Sequence, residues 1–94
     1  MLVKVKVKFY GPFKVLTHGI SETYVALDEG ATVRDLIEKL ALTISRKLAE
    51  VIYKGWGEDE ELQTILLVNG SATTLDHKLK DGDEILLLPP ASGG

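Results

Sequence analysis

Hydrophobic and polar residues alternate in the first segment of the chain. The apolar positions are Val3, Val5, Val7 and Phe9, and the lysines between them are Lys4, Lys6 and Lys8. Because successive side chains of a β-strand point to opposite faces of a sheet, this period of two predicts a half-buried strand. Gly11-Pro12 ends it. A row of lysines on one strand face is typical of a solvated or edge-protecting surface, and we favour that interpretation.

Two more elements follow the first strand. A shorter strand is predicted over residues 22–27, after a turn at 18–21, and it should form a hairpin with the first strand. Apolar residues then recur at spacings of three and four, which predicts an amphipathic helix from about residue 33 to the high forties. Its apolar stripe is Val33, Leu36, Ile37, Leu40, Ile44 and Leu48. Thr32 and Asp35 fit a capping box at the helix start.

The last third of the chain alternates between apolar runs and turn signals. A buried-type strand is predicted over residues 64–68, and it ends at the tight-turn pair Asn69-Gly70. A short return strand is expected at 71–74. The final apolar strand is predicted over residues 84–88.

These elements favour one arrangement of the fold. A lone hairpin cannot bury the helix, and the final apolar strand needs neighbours on both of its sides. The first and last strands should therefore lie side by side at the centre of a mixed sheet, with one main helix packed across one face. That is the α+β, β-grasp (ubiquitin-like) architecture. We expect a β-grasp domain over residues 1–88 and a flexible C-terminal tail over residues 89–94.

The tail has an unusual composition: Pro89-Pro90-Ala91-Ser92-Gly93-Gly94. Proline ends sheet pairing and favours an extended path, and glycine fits channels too narrow for other residues. Six extended residues reach about 20 Å, which is enough to place a terminal carboxylate in a partner's active site. A frayed terminus is the alternative interpretation. The order of apolar strand, stiff spacer and diglycine favours a functional tail.

The composition excludes several classes of site. The chain has 94 residues, a net charge of −3 and no cysteine. Without cysteine there is no disulfide framework, iron–sulfur cluster, cysteine-rich zinc site or thiol nucleophile. The acidic balance argues against direct nucleic-acid binding. No apolar run approaches the roughly 20 residues of a membrane span, and the N-terminus does not form a signal-peptide block, so we expect a cytoplasmic protein.

No side chain inside the domain has a catalytic context, and we predict no catalytic residue, metal site or bound cofactor. His18 and His77 lack cysteine partners for a metal site, and His77 is interpreted as a turn residue. Ser92 lacks a nearby base that would make it a nucleophile. Residues 53–63 are interpreted as a surface loop that could include one helical turn. Trp56 in that loop is expected to cover a core edge rather than to bind a ligand.

The chemically distinctive group is the Gly94 carboxylate. An α-carboxyl group has a pKa of about 3.3–3.7, so it is ionised in the cell and is a poor electrophile. A partner enzyme must first activate it, for example as an acyl-adenylate. Attack by a sulfur donor would then give a thiocarboxylate, and attack by a lysine amine would give an isopeptide bond.

Several segments together resemble a known family. They are Val5–Tyr10, Thr32-Val33-Arg34-Asp35-Leu36, Val68-Asn69-Gly70, Asp76–Leu79, Lys80-Asp81-Gly82-Asp83-Glu84 and Pro89–Gly94. In this order they resemble the MoaD/ThiS-type ubiquitin-like sulfur carriers, closest to the small subunit of molybdopterin synthase. The chain departs from that family at Phe13-Lys14-Val15, where an arginine-glutamate pair is usual, and at Leu88, where an aromatic residue is frequent.

The resemblance implies a non-enzymatic carrier. Gly94 would carry the acyl-adenylate and then the thiocarboxylate, and Gly93 would lie beside it in a narrow channel of the partner. The implied partners are an adenylyltransferase of the ubiquitin-activating type, which uses ATP, and the large subunit of molybdopterin synthase. The remaining tail residues would be spacer: Pro89, Pro90, Ala91 and Ser92.

Other functions are compatible with the same features. A ubiquitin-like modifier joined to lysines through Gly94, like the small archaeal modifier proteins, would start from the same adenylate. A sulfur carrier for tRNA thiolation would also do so. A plain binding module with an incidental tail is a third alternative, and the strength of the tail pattern argues against it.

An apolar docking surface is expected near the tail. Leu86 and Leu88 alternate with Ile85 and Leu87, so one of these pairs points away from the helix-covered face. Tyr10 shares the parity of the lysines and would lie beside the last strand. We predict that Tyr10, Leu86 and Leu88 bind the activating enzyme and the acceptor subunit. Ordinary scattered apolar residues on a sheet face are the alternative.

Overall fold

The computed structural model describes residues 1–54 and 64–89. The elements in these ranges are β1 (Leu2–Phe9), α1 (Phe13–Leu16), β2 (Glu22–Asp28), α2 (Val33–Thr43), α3 (Arg46–Lys54), β3 (Ile65–Val68), β4 (Ser71–Ala72) and β5 (Glu84–Leu88). Of the surface loop predicted over residues 53–63, Tyr53 and Lys54 instead form the end of α3, and the remainder, with Trp56, lies outside the described residues. The tail residues from Pro90 to Gly94 lie outside them as well. No helix within the described ranges is long and apolar enough to cross a membrane.

The strands of the described residues form one mixed sheet in the order β2-β1-β5-β3-β4. β1 pairs antiparallel with β2 and parallel with β5, and β3 pairs antiparallel with both β5 and β4. The first and last strands are therefore neighbours at the centre of the sheet, and that prediction is confirmed. The predicted hairpin of the first two strands is confirmed as well.

The core lies between one face of this sheet and the helices. β1 buries the four apolar residues of its alternating pattern, and α2 buries four positions of its stripe. A fully buried aliphatic or aromatic side chain contributes about 1.5–3 kcal/mol relative to an exposed one, so this face provides most of the stability. The bulkiest fully buried side chains, all less than 2% exposed, are Phe9, Phe13, Leu36, Ile37, Leu40, Leu48, Ile85 and Leu87.

The single long helix predicted from residue 33 to the high forties is wrong in one respect. α2 ends at Thr43, and α3 begins at Arg46 after a break. At the break the Leu40 carbonyl accepts N–H groups from both Ile44 (2.9 Å) and Ser45 (3.2 Å), so the regular hydrogen-bond ladder ends there. The Ser45 hydroxyl then accepts the Lys47 N–H at 3.2 Å, which gives α3 its own N-terminal cap.

The start of α2 follows the prediction. The Asp35 N–H donates to Thr32 Oγ1 at 3.3 Å, and the Thr32 N–H donates to Asp35 Oδ2 at 2.9 Å. This reciprocal pair satisfies two N–H groups that have no partner inside the helix. The capping box is therefore confirmed.

The connection between β1 and β2 contains an element that the sequence patterns do not predict. Residues Phe13–Leu16 form the short helix α1, and Phe13 is fully buried at its start. Thr17 closes the segment, because its buried hydroxyl donates to the Ile20 carbonyl at 2.8 Å. The predicted turn at 18–21 follows this helix, with His18 and Gly19 at φ angles of 59° and 91°.

A polar network joins the β3–β4 turn to the start of β5. Asn69, at a left-handed φ of 51°, donates its amide to Asp83 Oδ1 at 2.8 Å. The Lys80 N–H donates to Asp83 Oδ2, also at 2.8 Å. Asp83 is one of the two buried polar residues of the described chain, with 8% of its surface exposed. Asn69 and Asp83, which belong to the segments Val68-Asn69-Gly70 and Lys80–Glu84 that resemble the known family, thus have a structural role.

Replacing Asp83 with alanine should destabilise the fold by about 2–3 kcal/mol, because two hydrogen bonds to a buried carboxylate are lost and their donors are left unpaired. Asp76→Ala is the matched control. Its carboxylate pairs with Arg34 at 3.2 Å but is 84% exposed, so its loss should cost about 1 kcal/mol or less. Urea unfolding of both variants measures the difference. Equal destabilisation by the two substitutions would contradict the role given to Asp83.

Candidate functional site

The face of the sheet opposite the helices carries two distinct surfaces. Because Val5 and Val7 point into the core, the lysines of β1 lie on the open face. By the same alternation, Ile85 and Leu87 are buried, and Leu86 and Leu88 lie on the open face. The open face therefore carries charged side chains on β1 and β2, and apolar side chains on β5 and β3.

The apolar surface has four members, which we call the apolar patch: Ile65, Leu67, Leu86 and Leu88. Strand register brings them together, since Leu86 is paired with Leu67 and Leu88 with Ile65. Ile65 is 39% exposed, and the other three are half-buried. The structure thus places the predicted docking residues Leu86 and Leu88 on the same face of β5, within this patch.

Ile65 and Leu67 are members of the patch that the sequence analysis missed. The run from Thr64 to Val68 is apolar at four successive positions, so its period could not show that one face is open. In the structure Val68 is buried and Leu66 packs against the core, whereas Ile65 and Leu67 alternate with them on the open face. The buried-type strand predicted over residues 64–68 therefore forms as β3, with one face covered by the core and the other open. Only the pairing of Ile65 and Leu67 with β5 identifies them as members of the patch, and a uniformly apolar segment does not show that pairing.

Tyr10 lies where the chain leaves β1. Its N–H donates to the Leu87 carbonyl at 3.2 Å, one step beyond the last β1–β5 pair of Phe9 and Leu87. The residue is 39% exposed. The structure thus places Tyr10 beside the end of β5, as expected from its position in the same alternation as the lysines of β1. Its role in docking stays a prediction.

The charged half of the open face is largely neutralised by its own residues. Lys6 pairs with Glu22, and Lys8 pairs with Glu84, each at 3.3 Å. The hydrogen bond and the charge of Glu22 raise the pKa of Lys6 above its usual value. Lys4 Nζ lies 5.0 Å from the centre of the Tyr24 ring, a cation–π geometry. The two ion pairs offset the charges of Lys6 and Lys8, and phosphate binding would require such positive charge to be free.

The histidines of the chain have positions typical of turns. His18 adopts a left-handed φ of 59°. His77 uses its backbone, because its carbonyl accepts the Val33 N–H at 3.0 Å and its N–H donates to the Thr74 carbonyl at 3.2 Å. Within residues 1–54 and 64–89, no group of three or more histidine, aspartate or glutamate side chains is arranged to hold a metal ion.

The tail begins at the end of the apolar patch. Leu88 is the last residue of β5, and Pro89 follows it directly and is half-buried. The predicted attachment site Gly94, with Gly93, Ser92, Ala91 and Pro90, lies outside the described residues. What the structure adds is the origin of the tail, which is adjacent to the apolar patch.

A mixed sheet with its first and last strands parallel at the centre, and helices across one face, defines a ubiquitin-like β-grasp protein. The model of the ThiS family matches residues 7–94. The chain belongs to the ThiS family, and its resemblance to ubiquitin-like sulfur carriers is confirmed.

Solved structures from archaea cover almost the whole chain. A Pyrococcus furiosus protein, provisionally named molybdopterin converting factor subunit 1, is 38% identical, with a TM-score of 0.73 over 95% of this chain and 99% of that one. Small archaeal modifier protein 1 from Methanosarcina acetivorans is 32% identical, with a TM-score of 0.74 over 100% and 99% of the two chains. A search of curated proteins found no match.

Complexes with a partner protein are among the similar structures, and one of them is the complex of subunits 1 and 2 of the molybdopterin-converting factor from Helicobacter pylori. This chain is 26% identical to the matched subunit, with a TM-score of 0.58 over 98% of this chain and 100% of that one. A protein with the same fold therefore acts in a two-subunit assembly.

Proposed function

We propose that this chain is a sulfur carrier whose Gly94 carboxylate is adenylated by a partner enzyme, converted to a thiocarboxylate and used by molybdopterin synthase. The observation that carries the proposal is the point at which the tail leaves the sheet. In a chain of the ThiS family, the segment that ends in diglycine begins at Pro89, directly after Leu88 of the apolar patch on the open face of the sheet. The similarity to molybdopterin-converting factor subunits from two organisms supports molybdopterin synthase as the enzyme that uses the sulfur.

The proposed chemistry replaces one oxygen atom of the Gly94 carboxylate with sulfur. A carboxylate oxygen attacks the α-phosphorus of ATP on the activating enzyme, and pyrophosphate leaves. A hydrosulfide equivalent then attacks the acyl carbon, and AMP leaves with the original oxygen. The product is a thiocarboxylate, and its nucleophilic sulfur can be transferred to an acceptor.

This chain supplies two physical elements for that reaction. The apolar patch provides a surface that loses water on docking, and burial of apolar area stabilises the complex by about 25 cal/mol per Å² before association costs. The six tail residues can then reach about 20 Å from the docked sheet into the partner's site. Docking and chemistry are therefore separated along the chain.

The proposal predicts a defined mass change. After incubation with ATP, the adenylyltransferase of the source organism and a sulfide donor, the intact protein should gain about 16 Da, the difference between sulfur and oxygen. The same incubation without ATP is the control, and it should leave the mass unchanged. An unchanged mass with an enzyme that is active on another carrier would contradict the proposal.

A ubiquitin-like modifier is the second candidate, favoured by the 32% identity to the small archaeal modifier protein of Methanosarcina acetivorans. Both functions pass through the Gly94 adenylate, as would a carrier for tRNA thiolation, and they differ in the acceptor. Trypsin would cut a conjugate after Lys80, because residues 81–94 contain no lysine or arginine. Residues 81–94 attached to a lysine of another protein would identify the modifier function.

A further inference from the structure

Pro89, the first residue of the tail, contacts Gly11 in the turn that follows β1. Gly11 adopts a left-handed φ of 57°, and its bare Cα faces the ring of Pro89. A Cβ atom at Gly11 would lie 3.2 Å from Pro89 Cγ and 3.7 Å from Pro89 Cδ. Carbon atoms in good contact are about 3.5–4.0 Å apart, so a side chain at this position would push the ring away.

The hydrogen bonds around Pro89 show why the sheet ends there. The Asp83 carbonyl accepts the Lys6 N–H at 2.9 Å, and the Leu87 carbonyl accepts the Tyr10 N–H at 3.2 Å. In this parallel pairing the next donor to β1 would be the N–H of residue 89, with the Tyr10 carbonyl as acceptor. Proline has no N–H, and the Tyr10 carbonyl instead accepts the Phe13 N–H at 3.2 Å.

Pro89 therefore donates no hydrogen bond to β1, and its ring lies instead against Gly11 in the turn that follows β1. The hydrogen-bond ladder to β1 no longer constrains the path after Leu87, whereas the packing of Pro89 on Gly11 does. Among the glycines of the described residues, Gly11 alone has a neighbouring atom within 4 Å of the point where a Cβ would lie. Gly19, Gly30, Gly70 and Gly82 also have positive φ angles, but open space surrounds that point at each of them.

We propose that Gly11 is a positioning residue for the tail: by leaving room for the Pro89 ring, it sets the direction in which the chain leaves the sheet. The functional consequence rests on the proposed activation of Gly94. A side chain at Gly11 would redirect the tail without touching the apolar patch. The activating enzyme would then bind the protein normally but hold its carboxylate in the wrong place.

Gly11→Ala therefore should lower kcat for adenylation by about threefold or more and change KM less than twofold, because the Pro89 ring must shift by a few tenths of an ångström and a displacement of about 1 Å can cost about 100-fold in rate. ATP–pyrophosphate exchange with the adenylyltransferase of the source organism measures both constants. Gly30→Ala is the matched control. It places alanine at a positive φ of 88° with no atom within 4 Å, so it introduces similar backbone strain without the tail contact.

A compensating substitution tests the contact itself. Pro89→Ala removes both Cγ and Cδ, so the double variant Gly11→Ala/Pro89→Ala should have the same kcat as Pro89→Ala alone. Such non-additivity is expected only when the two residues act through their mutual contact. Additive losses in the double variant, or equal kcat values for Gly11→Ala and Gly30→Ala, would overturn the proposal.

A structural measurement separates this inference from the proposed function. In the isolated wild-type protein and in Gly30→Ala, nuclear Overhauser contacts should join the Gly11 α-protons to the Pro89 ring. In Gly11→Ala, residual dipolar couplings of Leu88 and Pro89 should change while those of the rest of the sheet do not. If the wild-type protein is not adenylated, the proposed function fails and these measurements still decide the role of Gly11. Unchanged couplings of Leu88 and Pro89 in Gly11→Ala would reject that role.

Discussion

Deletion of Gly94 is expected to reduce adenylation by at least about 100-fold, because the carboxylate that attacks ATP is then set back by one residue, about 3.5 Å. Gly94→Ala should have a similarly large effect in a channel that admits only glycine. The tail follows the last strand, so the free energy of unfolding should change by no more than about 0.5 kcal/mol. Pyrophosphate exchange and thermal unfolding measure the two quantities.

Ser92→Ala is the matched control for the Gly94 variants. It alters the same tail and removes a hydroxyl, but it keeps the tail length and the terminal carboxylate. We expect near wild-type adenylation, since Ser92 has no predicted chemical role. Normal activity of the protein lacking Gly94 would contradict the assigned attachment site, and a large loss of stability would mean that the tail packs as part of the fold.

The parts of the fold that were predictable from sequence are those set by local patterns. Alternation from Val3 to Phe9 located β1 and its buried face, because only a strand with one covered side fits that period. The reciprocal pair Thr32 and Asp35 located the start of α2, because both hydrogen bonds form between residues three apart. Topology then followed from the need of the apolar β5 for neighbours on both sides.

The helix break was not predictable from periodicity. Ile44 and Leu48 continue the apolar spacing of α2, and Leu48 is fully buried as expected. The break depends on Ser45, which caps α3 instead of continuing α2. Serine is tolerated within helices and favoured at their N-termini, so its role depends on the chain direction that packing imposes.

The sequence predicted the reactive group of the candidate site, but only some of the residues of its apolar patch. The tail and the pair Leu86 and Leu88 followed from composition and alternation. Ile65 and Leu67 join that pair only through strand register, which a uniformly apolar segment does not encode. The contact of Gly11 with Pro89 joins segments that are far apart in the chain and depends on a left-handed backbone angle, which sequence alone does not reveal.

Leu88→Asp should weaken binding to the activating enzyme and to the acceptor subunit by more than about 2 kcal/mol, or about 30-fold in Kd, as expected for a buried interface anchor. A carboxylate at this position would be desolvated on docking without a partner, which is costly. Leu88 is also the last residue before Pro89, so partners that use the tail must approach it. Calorimetry with each purified partner measures both affinities.

Leu42→Asp provides a matched control, because it introduces the same charge at an apolar residue of α2 that is 79% exposed and lies outside the patch. Its binding to both partners should be unchanged. Since Leu88 is half-buried, Ile65→Asp serves as a second test at a position that is 39% exposed. Unfolding curves establish that each variant is folded. If folded Leu88→Asp and Ile65→Asp proteins both bind with wild-type affinity, partners dock elsewhere on the molecule and the patch is an ordinary exposed sheet face.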